Sequence, residues 1–529
     1  MWALFREPCN ENIIRSRAPI APCSKTSGRW ILAATILASA MAFIDGTVVN
    51  VALPALQSSL NATAVDLQWV IEAYSLLLSA FLLVGGSLGD HYGRRRIFLI
   101  GVALFAAASA ACGFAADIRQ LIAARALQGL GAALLVPGSL AIISSSFSEN
   151  ERGRAIGTWS AFSAITTGIG PVMGGWLIEH VSWRAVFFIN LPLAFLIILI
   201  SLRHVAESSD KDNTRIDWLG AILAATSLGA LVYGLIESSR LGFGDRSVVV
   251  VLIAGAVLLI VFLLIEGRIS QPMLPLGLFR ARTFTGANLL TFLLYAALGG
   301  TMFFLPLNLI QVQHYSATAA GAAMLPFIII MSLLSRWSGG LIVNYGAKLP
   351  LIVGPLIAAC GFALFIWPNV GGSYWTTFFP AIVILGLGMA ISVAPLTTAV
   401  MNSVSQNRAG VASGVNNAGA RTAGLLAVAV LGIVMLHVFN DRLDRRVMEF
   451  KLPPSVSQSL EVQRTKLAAI AIPEELNPAT RDVVRRAIDE SFVSGFRAIM
   501  VIGVVLAVAS AIAALILIES TPRRQDLAQ

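Results

Sequence analysis

The stretch Gly85-Gly86-Ser87-Leu88-Gly89-Asp90-His91-Tyr92-Gly93-Arg94-Arg95-Arg96 separates two long apolar runs. Hydrocarbon holds an acid and three consecutive arginines only at large cost, and the glycines let the chain turn tightly. The stretch therefore reads as a short charged loop between two membrane-spanning helices. Lys and Arg in short loops stay cytoplasmic, so these arginines orient the helices on either side.

The whole chain agrees with that reading. Of 529 residues, 57% are hydrophobic and 12% charged, with a mean hydropathy of +0.80. Globular proteins carry about a quarter charged residues, so this is a polytopic membrane protein. The net charge of +9 is spread singly and in pairs between apolar runs, which excludes a nucleic-acid surface and fits positive cytoplasmic loops. Cys9, Cys23, Cys112 and Cys360 form no CxxC pair and have no His companion at metal spacing, so neither a disulfide framework nor a metal site is expected.

Apolar runs of about twenty residues mark fourteen spans, from 30–54 to 495–518, in an all-α fold of two six-helix bundles plus two extra spans. The expected organisation is a cytoplasmic tail at 1–29, a first bundle at 30–203, two inserted spans with their loops at 204–283, a second bundle at 284–518 and a cytoplasmic tail at 519–529. Arg94 to Arg96, Arg152, Arg154, Arg203, Lys211, Arg215, Arg268, Arg280, Arg282, Lys348 and Arg408 fall in loops on one side, with both termini. An even span count and the positive-inside rule place that side in the cytoplasm.

Residues 438–494 are the exception, a long polar segment counted to the outside. Within it Asn477-Pro478 has the form of an Asx cap with Pro at the first helical position. The amphipathic helix that follows reads as a solvated surface helix or as a partner's docking surface. The chain also repeats itself: Gly339 to Lys348 aligns with Gly86 to Arg95, keeping Gly, Leu, Tyr, Gly and a final cation but losing the acid. Repeats of that size indicate a transporter whose halves rock about a central site.

Four motifs carry a resemblance to a known family. Gly86 to Arg95 resembles the signature loop of the major facilitator superfamily, with His91 where the family has Arg or Lys. Leu121-Ile-Ala-Ala-Arg125-Ala-Leu-Gln128-Gly129 resembles its fourth-span motif, and Gly168-Ile-Gly170-Pro171-Val-Met-Gly174-Gly175 its antiporter motif, a feature of exporters. Asp45-Gly-Thr-Val-Val-Asn50-Val-Ala-Leu-Pro54 is similar to the opening motif of the fourteen-span drug:proton antiporters. The resemblance runs from about residue 30 to 520. It implies efflux driven by the proton gradient, with no cofactor.

Ionisable groups inside hydrocarbon are functional candidates by default. Asp45, Glu72 and Arg125 fall at comparable depth in the first bundle. Burial disfavours a carboxylate's charged form and a neighbouring arginine favours it, so a carboxyl whose surroundings alternate can carry protons. Asp45 and Glu72 are the expected carriers and Arg125 the modulating charge; the alternatives are a structural hydrogen bond for Asp45, snorkelling to water for Glu72 and an anchoring role for Arg125. Gly86, Asp90, Gly93, Arg94 and Arg95 are expected to form a gating loop whose charge pairs break and reform. Gly168, Gly170, Pro171, Gly174 and Gly175 would let span 5 pack tightly, with Pro171 bending it; a coupling role is what the resemblance adds. Asn50, Trp69, Tyr74, Phe162, Phe303, Asn308, Gln311 and Arg421 are candidates for the substrate cavity, aromatic belt positions and interhelix bonds being the plainer readings.

The combined expectation is a proton-coupled exporter of amphipathic, lipophilic or cationic compounds, acting as a monomer in the inner membrane. An exporter of one metabolite, and the inner-membrane pump of an envelope-spanning assembly with a periplasmic adaptor, stand as alternatives. The chain has no GxxxxGK[ST] loop, HExxH or catalytic triad spacing, and its five histidines lie scattered at span ends, so it does not read as an ATP-driven pump or an enzyme.

Overall fold

The computed structural model describes residues 25–147, 149–209, 217–269, 272, 274–404, 409–449, 454–472 and 476–519. Most of the expected N-terminal tail, nearly all of the C-terminal one, and Lys211, Arg215, Arg408, Arg523 and Arg524 lie outside these. Among the described residues all regular structure is helical: α1 (Lys25–Leu60), α2 (Ala64–Tyr92), α3 (Arg94–Phe114), α4 (Ile118–Ser146), α5 (Glu149–His180), α6 (Ala185–Phe188), α7 (Asn190–His204), α8 (Trp218–Leu241), α9 (Arg246–Glu266), α10 (Arg282–Leu307), α11 (Ala317–Ala323), α12 (Leu325–Tyr345), α13 (Lys348–Leu364), α14 (Tyr374–Thr377), α15 (Phe379–Asn402), α16 (Ala409–Glu449), α17 (Pro454–Val462) and α18 (Pro478–Leu517). Every one of the fourteen expected spans is helical, and among the described residues twelve helices are long and apolar enough to cross a membrane. The 17 residues of α13 rise about 26 Å, short of a hydrocarbon core of about 30 Å.

The chain divides into two compact units. The first comprises Met1–Ala55, Trp69–Ala230 and Ala254–Met273. Its core interleaves Phe98, Val102 and Phe105 of α3, one helical face at spacings of four and three, with Leu135 and Ile142 of α4, Ile31 and Met41 of α1, and Tyr74 and Leu78 of α2. Lipid is as apolar as these side chains, so close packing rather than escape from water holds them together. The start of α4 is fixed locally: the Asp117 carboxylate accepts the Gln120 N–H at 2.9 Å, while the Gln120 side chain accepts that of Ala116 at 3.1 Å.

The second unit comprises Leu56–Gln68, Leu231–Ile253 and Leu274–Gln529. There α10 packs on α16 and α18, and α13 on α15 and α18, around Phe303, Phe304, Phe362, Phe439 and Phe492. Pro306 removes one backbone N–H near the end of α10, and the ladder continues as a π-helix over Asn308–Val312. The internal repeat has a backbone counterpart in each unit: Gly93 separates α2 from α3 with φ +109°, and Gly346 ends α12 with φ +72°.

The segment 438–494 corrects the sequence reading. It is largely helical, because α16 runs on unbroken to Glu449 and α18 begins at Pro478, where the Asn477 side chain caps the Thr480 N–H at 2.8 Å as expected. Each of these helices is about 60 Å long, roughly twice the hydrocarbon thickness. The helix after Asn477 is not a solvated rod. Val484, Ala487, Ile488 and Phe492 form a buried face, and Arg446 of α16 reaches Glu490 of α18 at 2.6 Å. The polar composition of 438–494 hid this, since one apolar stripe per helix suffices to bury it.

Candidate functional site

A buried polar cluster lies in the first unit, where α1, α3, α4 and α7 meet. Asp45 on α1 is fully buried and Arg125 on α4 is 1% exposed; their side chains pair at 2.5 Å through the arginine Nη1 and the aspartate Oδ2. Gln128, three residues further on the same face of α4, donates from Nε2 to Asp45 Oδ1 at 2.8 Å. Asn190, the first residue of α7, donates from Nδ2 to the same oxygen at 3.2 Å and to the Ser109 hydroxyl of α3 at 3.0 Å. Three donors thus converge on one carboxylate.

The guanidinium is equally well held. Its Nε donates to the Val70 carbonyl at 3.1 Å, Nη1 also donates to Gln128 Oε1 at 2.7 Å, and its Cζ lies 4.3 Å from the centre of the Tyr74 ring. Desolvating a charge pair costs several kcal/mol per ion, so stability alone does not explain why this one is kept. A buried, fully hydrogen-bonded acid in a membrane helix is a candidate for reversible protonation.

The structure brings Asp45 and Arg125 together and leaves Glu72 apart. Glu72 is fully buried on α2, and neither carboxylate oxygen has a hydrogen-bond partner among the described residues. Two residues from Tyr74, it points to the opposite side of the helix from the ring that faces Arg125. Burial excludes the snorkelling that its position near a helix start suggested.

The antiporter-motif glycines lie against the turn of α1 that follows Asp45. A methyl group on Gly170 would fall on the Thr47 hydroxyl, and one on Gly174 on the Val48 side chain. Thr47 also donates to the Thr167 carbonyl at 3.4 Å. Gly168, Pro171 and Gly175 are buried with them. Tight packing on this face of α5 thus fixes the part of α1 that carries the acid.

The expected charged loop is helical except at Gly93, because α2 runs to Tyr92 and α3 begins at Arg94; across this junction Arg94 pairs with Asp90 at 2.7 Å, a part-exposed contact worth little by itself. The stronger anchor is Glu207, beyond the end of α7. Its carboxylate accepts the backbone N–H groups of Arg95 and Arg96 at 3.0 and 3.1 Å, at the positive end of the α3 dipole. The Arg95 guanidinium in turn donates to the Val205 carbonyl at 2.9 Å. A side chain on Gly93 would strike the Glu207 carboxyl, and its φ of +109° disfavours any L-residue. Gly93→Ala is therefore expected to cost about 1–3 kcal/mol in thermal unfolding of the purified protein. Gly89→Ala, where a methyl finds ordinary contacts, should be neutral; equal losses in both would show that Gly93 is not special.

The cavity candidates are dispersed. Tyr74 is committed to Arg125, and Phe303 is a core ring packed edge-on to Phe304. Asn308 is buried and accepts from Gln313 at 3.2 Å, whereas Gln311 donates to Gln57 at 2.7 Å within the second unit. Trp69 and Arg421 are half-buried, and half-buried Asn50 donates to its own helix at Gly46. Phe162 is half-exposed. Sequence reasoning assigned no role to Gln128 and missed Asn190, Ser109 and Glu207 altogether. The available signal was slight: one amide opening an apolar run before Pro192, and one acid in a polar linker.

A family model described as Major Facilitator Superfamily matches residues 35–429. The chain is 35% identical over 490 residues to the multidrug resistance protein Stp of Mycobacterium tuberculosis (strain CDC 1551 / Oshkosh), covering 89% of this chain and 88% of that protein. It is 32% identical to the tetracenomycin C resistance and export protein of Streptomyces glaucescens, over 93% and 92% of the two chains. Among solved structures, a bacterial homolog of the human lysosomal transporter Spinster, inward-facing and unoccupied, matches with a TM-score of 0.63 at 17% identity, over 93% of this chain and 98% of that one. At that identity the likeness concerns the fold.

Proposed function

Since the chain belongs to the major facilitator superfamily, we propose that it is a proton-coupled exporter of amphipathic, lipophilic or cationic drugs, working by alternating access. It is a multi-span membrane transporter and not an enzyme. The observation that carries the coupling is the Asp45 carboxylate, sealed from solvent and held by Arg125, Gln128 and Asn190. In one state of the cycle Asp45 is ionised and satisfied by these donors. In the other, α1 shifts against α4, the contact with Arg125 loosens, and the carboxyl takes a proton from the outside and later yields it inside. The relatives named for resistance to multiple drugs, tetracenomycin C and puromycin support small-molecule cargo and outward direction.

The same proposal includes α5 and α13 as membrane-crossing helices, giving fourteen spans, with both termini cytoplasmic and a monomer in the inner membrane. Glu72 is assigned as a second proton-binding group. Its test is reconstitution into liposomes under an imposed inward proton gradient, following lumen pH as lipophilic cations are added. Cargo-dependent proton movement is the expected result, whereas cargo moving without proton flux would remove the coupling. An adaptor-dependent pump would show neither activity until a periplasmic partner is supplied.

A further inference from the structure

Two amides donate to Asp45 Oδ1, and they are not equivalent. The carbonyl of Gln128 accepts the Arg125 Nη1–H at 2.7 Å and faces the Cys112 thiol at 3.7 Å. Turning that amide over would point its N–H groups at the arginine's own N–H, so its orientation is fixed. The carbonyl of Asn190 has no hydrogen-bond partner among the described residues, although Asn190 is fully buried. Its amide is held only through Nδ2, by Asp45 and by the Ser109 hydroxyl, which itself donates to the Phe187 carbonyl at 2.8 Å.

This asymmetry matters when the acid gains a proton. An ionised carboxylate only accepts, and three donors suit it. A protonated one carries an O–H, which cannot face a fixed N–H. We infer that Asn190 is the positioning residue that turns over with the protonation of Asp45, offering its N–H to the carboxylate and its carbonyl to the acid. The inference rests on the proton-coupled reading and adds to it the group that lets the site stay bonded in both charge states. After the turn, Asn190 Oδ1 accepts the new Asp45 O–H, and the Ser109 hydroxyl can donate to it as well. Gln128 and Arg125 keep their mutual bond throughout.

The surrounding groups leave Asn190 as the adjustable element. Arg125 of α4 is the cation facing Asp45, Cys112 of α3 and Tyr74 of α2 are the titratable neighbours of that pair, and α7 contributes the amide. Glu72, with no bond to any of them, stands outside the set. A charge-assisted bond is about twice as strong as a neutral one, so losing Asn190 penalises the carboxylate more than the acid.

The test is an infrared pH titration of the purified transporter, with the Asp45 carboxyl band identified by subtraction of Asp45→Asn. It needs no cargo, so it stands even where proton-coupled export fails in liposomes. In Asn190→Leu the protonation midpoint is expected to move to higher pH by at least about half a unit, and the carbonyl stretch of the acid to rise in frequency as its acceptor is lost. Asn190→Asp, which keeps the shape should the leucine variant not fold, places a second acid beside the first and should move the midpoint further the same way. In wild type the side-chain amide band of Asn190 should change with the same midpoint as the acid. An unmoved midpoint in both variants, or an amide band that ignores the titration, would reduce Asn190 to a packing residue.

Discussion

Asp45→Asn should lower cargo-driven proton movement on the order of 100-fold, at the upper end of the coupling factors found between linked sites, while leaving cargo binding largely intact. The substitution keeps the shape of the side chain, and its one carbonyl oxygen can still accept either from Arg125 on the Oδ2 side or from Gln128 and Asn190 on the Oδ1 side. What it removes is the ability to gain and lose a proton. A protein fixed in the neutral state has no carrier for the exchange, so lumen pH in reconstituted liposomes should not respond to added lipophilic cations. Binding of the same cations, followed by tryptophan quenching, should persist within a few fold. Full proton movement in the variant would dismiss Asp45 as carrier and turn attention to Glu72, whose burial without a hydrogen-bond partner among the described residues gives it the next claim.

The loss of the opposite partner should appear as instability rather than silence. Arg125→Met removes the cation and leaves the Asp45 carboxylate buried and unpaired, at a cost of about 3–5 kcal/mol. It also frees the Val70 carbonyl and the Gln128 carbonyl from a donor and uncovers the face of Tyr74. Thermal unfolding should fall steeply in this variant. The double variant with Asp45→Asn should regain most of the loss, because the uncompensated charge is then gone. Strict additivity of the two losses would mean that the pair is not energetically coupled, and that its contact is incidental to the protein's stability.

Parts of this molecule were legible from spacing alone. The glycine-rich stretch with its arginines located the junction between α2 and α3, and the repeat at Gly339 to Lys348 located the matching junction between α12 and α13; the structure adds a positive φ at Gly93 and at Gly346. The cap at Asn477 was equally plain, because an Asx side chain followed by Pro acts within one turn of chain. The segment 438–494 was not: its charges are as frequent as in a loop, and the buried face of α18 shows itself only against the helix beside it.

The sequence by itself determined the class of molecule, the approximate positions of the spans and the identity of the ionisable residues placed in hydrocarbon, since each follows from the cost of exposing polar groups to lipid, a local property of a stretch of chain. The tertiary structure decided which of those residues meet. Asp45 and Arg125 are 80 positions apart and Asp45 and Asn190 145, and only the packing of α1, α4 and α7 sets them within hydrogen-bond distance. It decided as well that Glu72 has no hydrogen-bond partner among the described residues and that Glu207 caps the arginines at the start of α3. A hydrogen bond requires direction and separation to within a fraction of an ångström, and between helices neither is encoded by the spacing of residues along one of them.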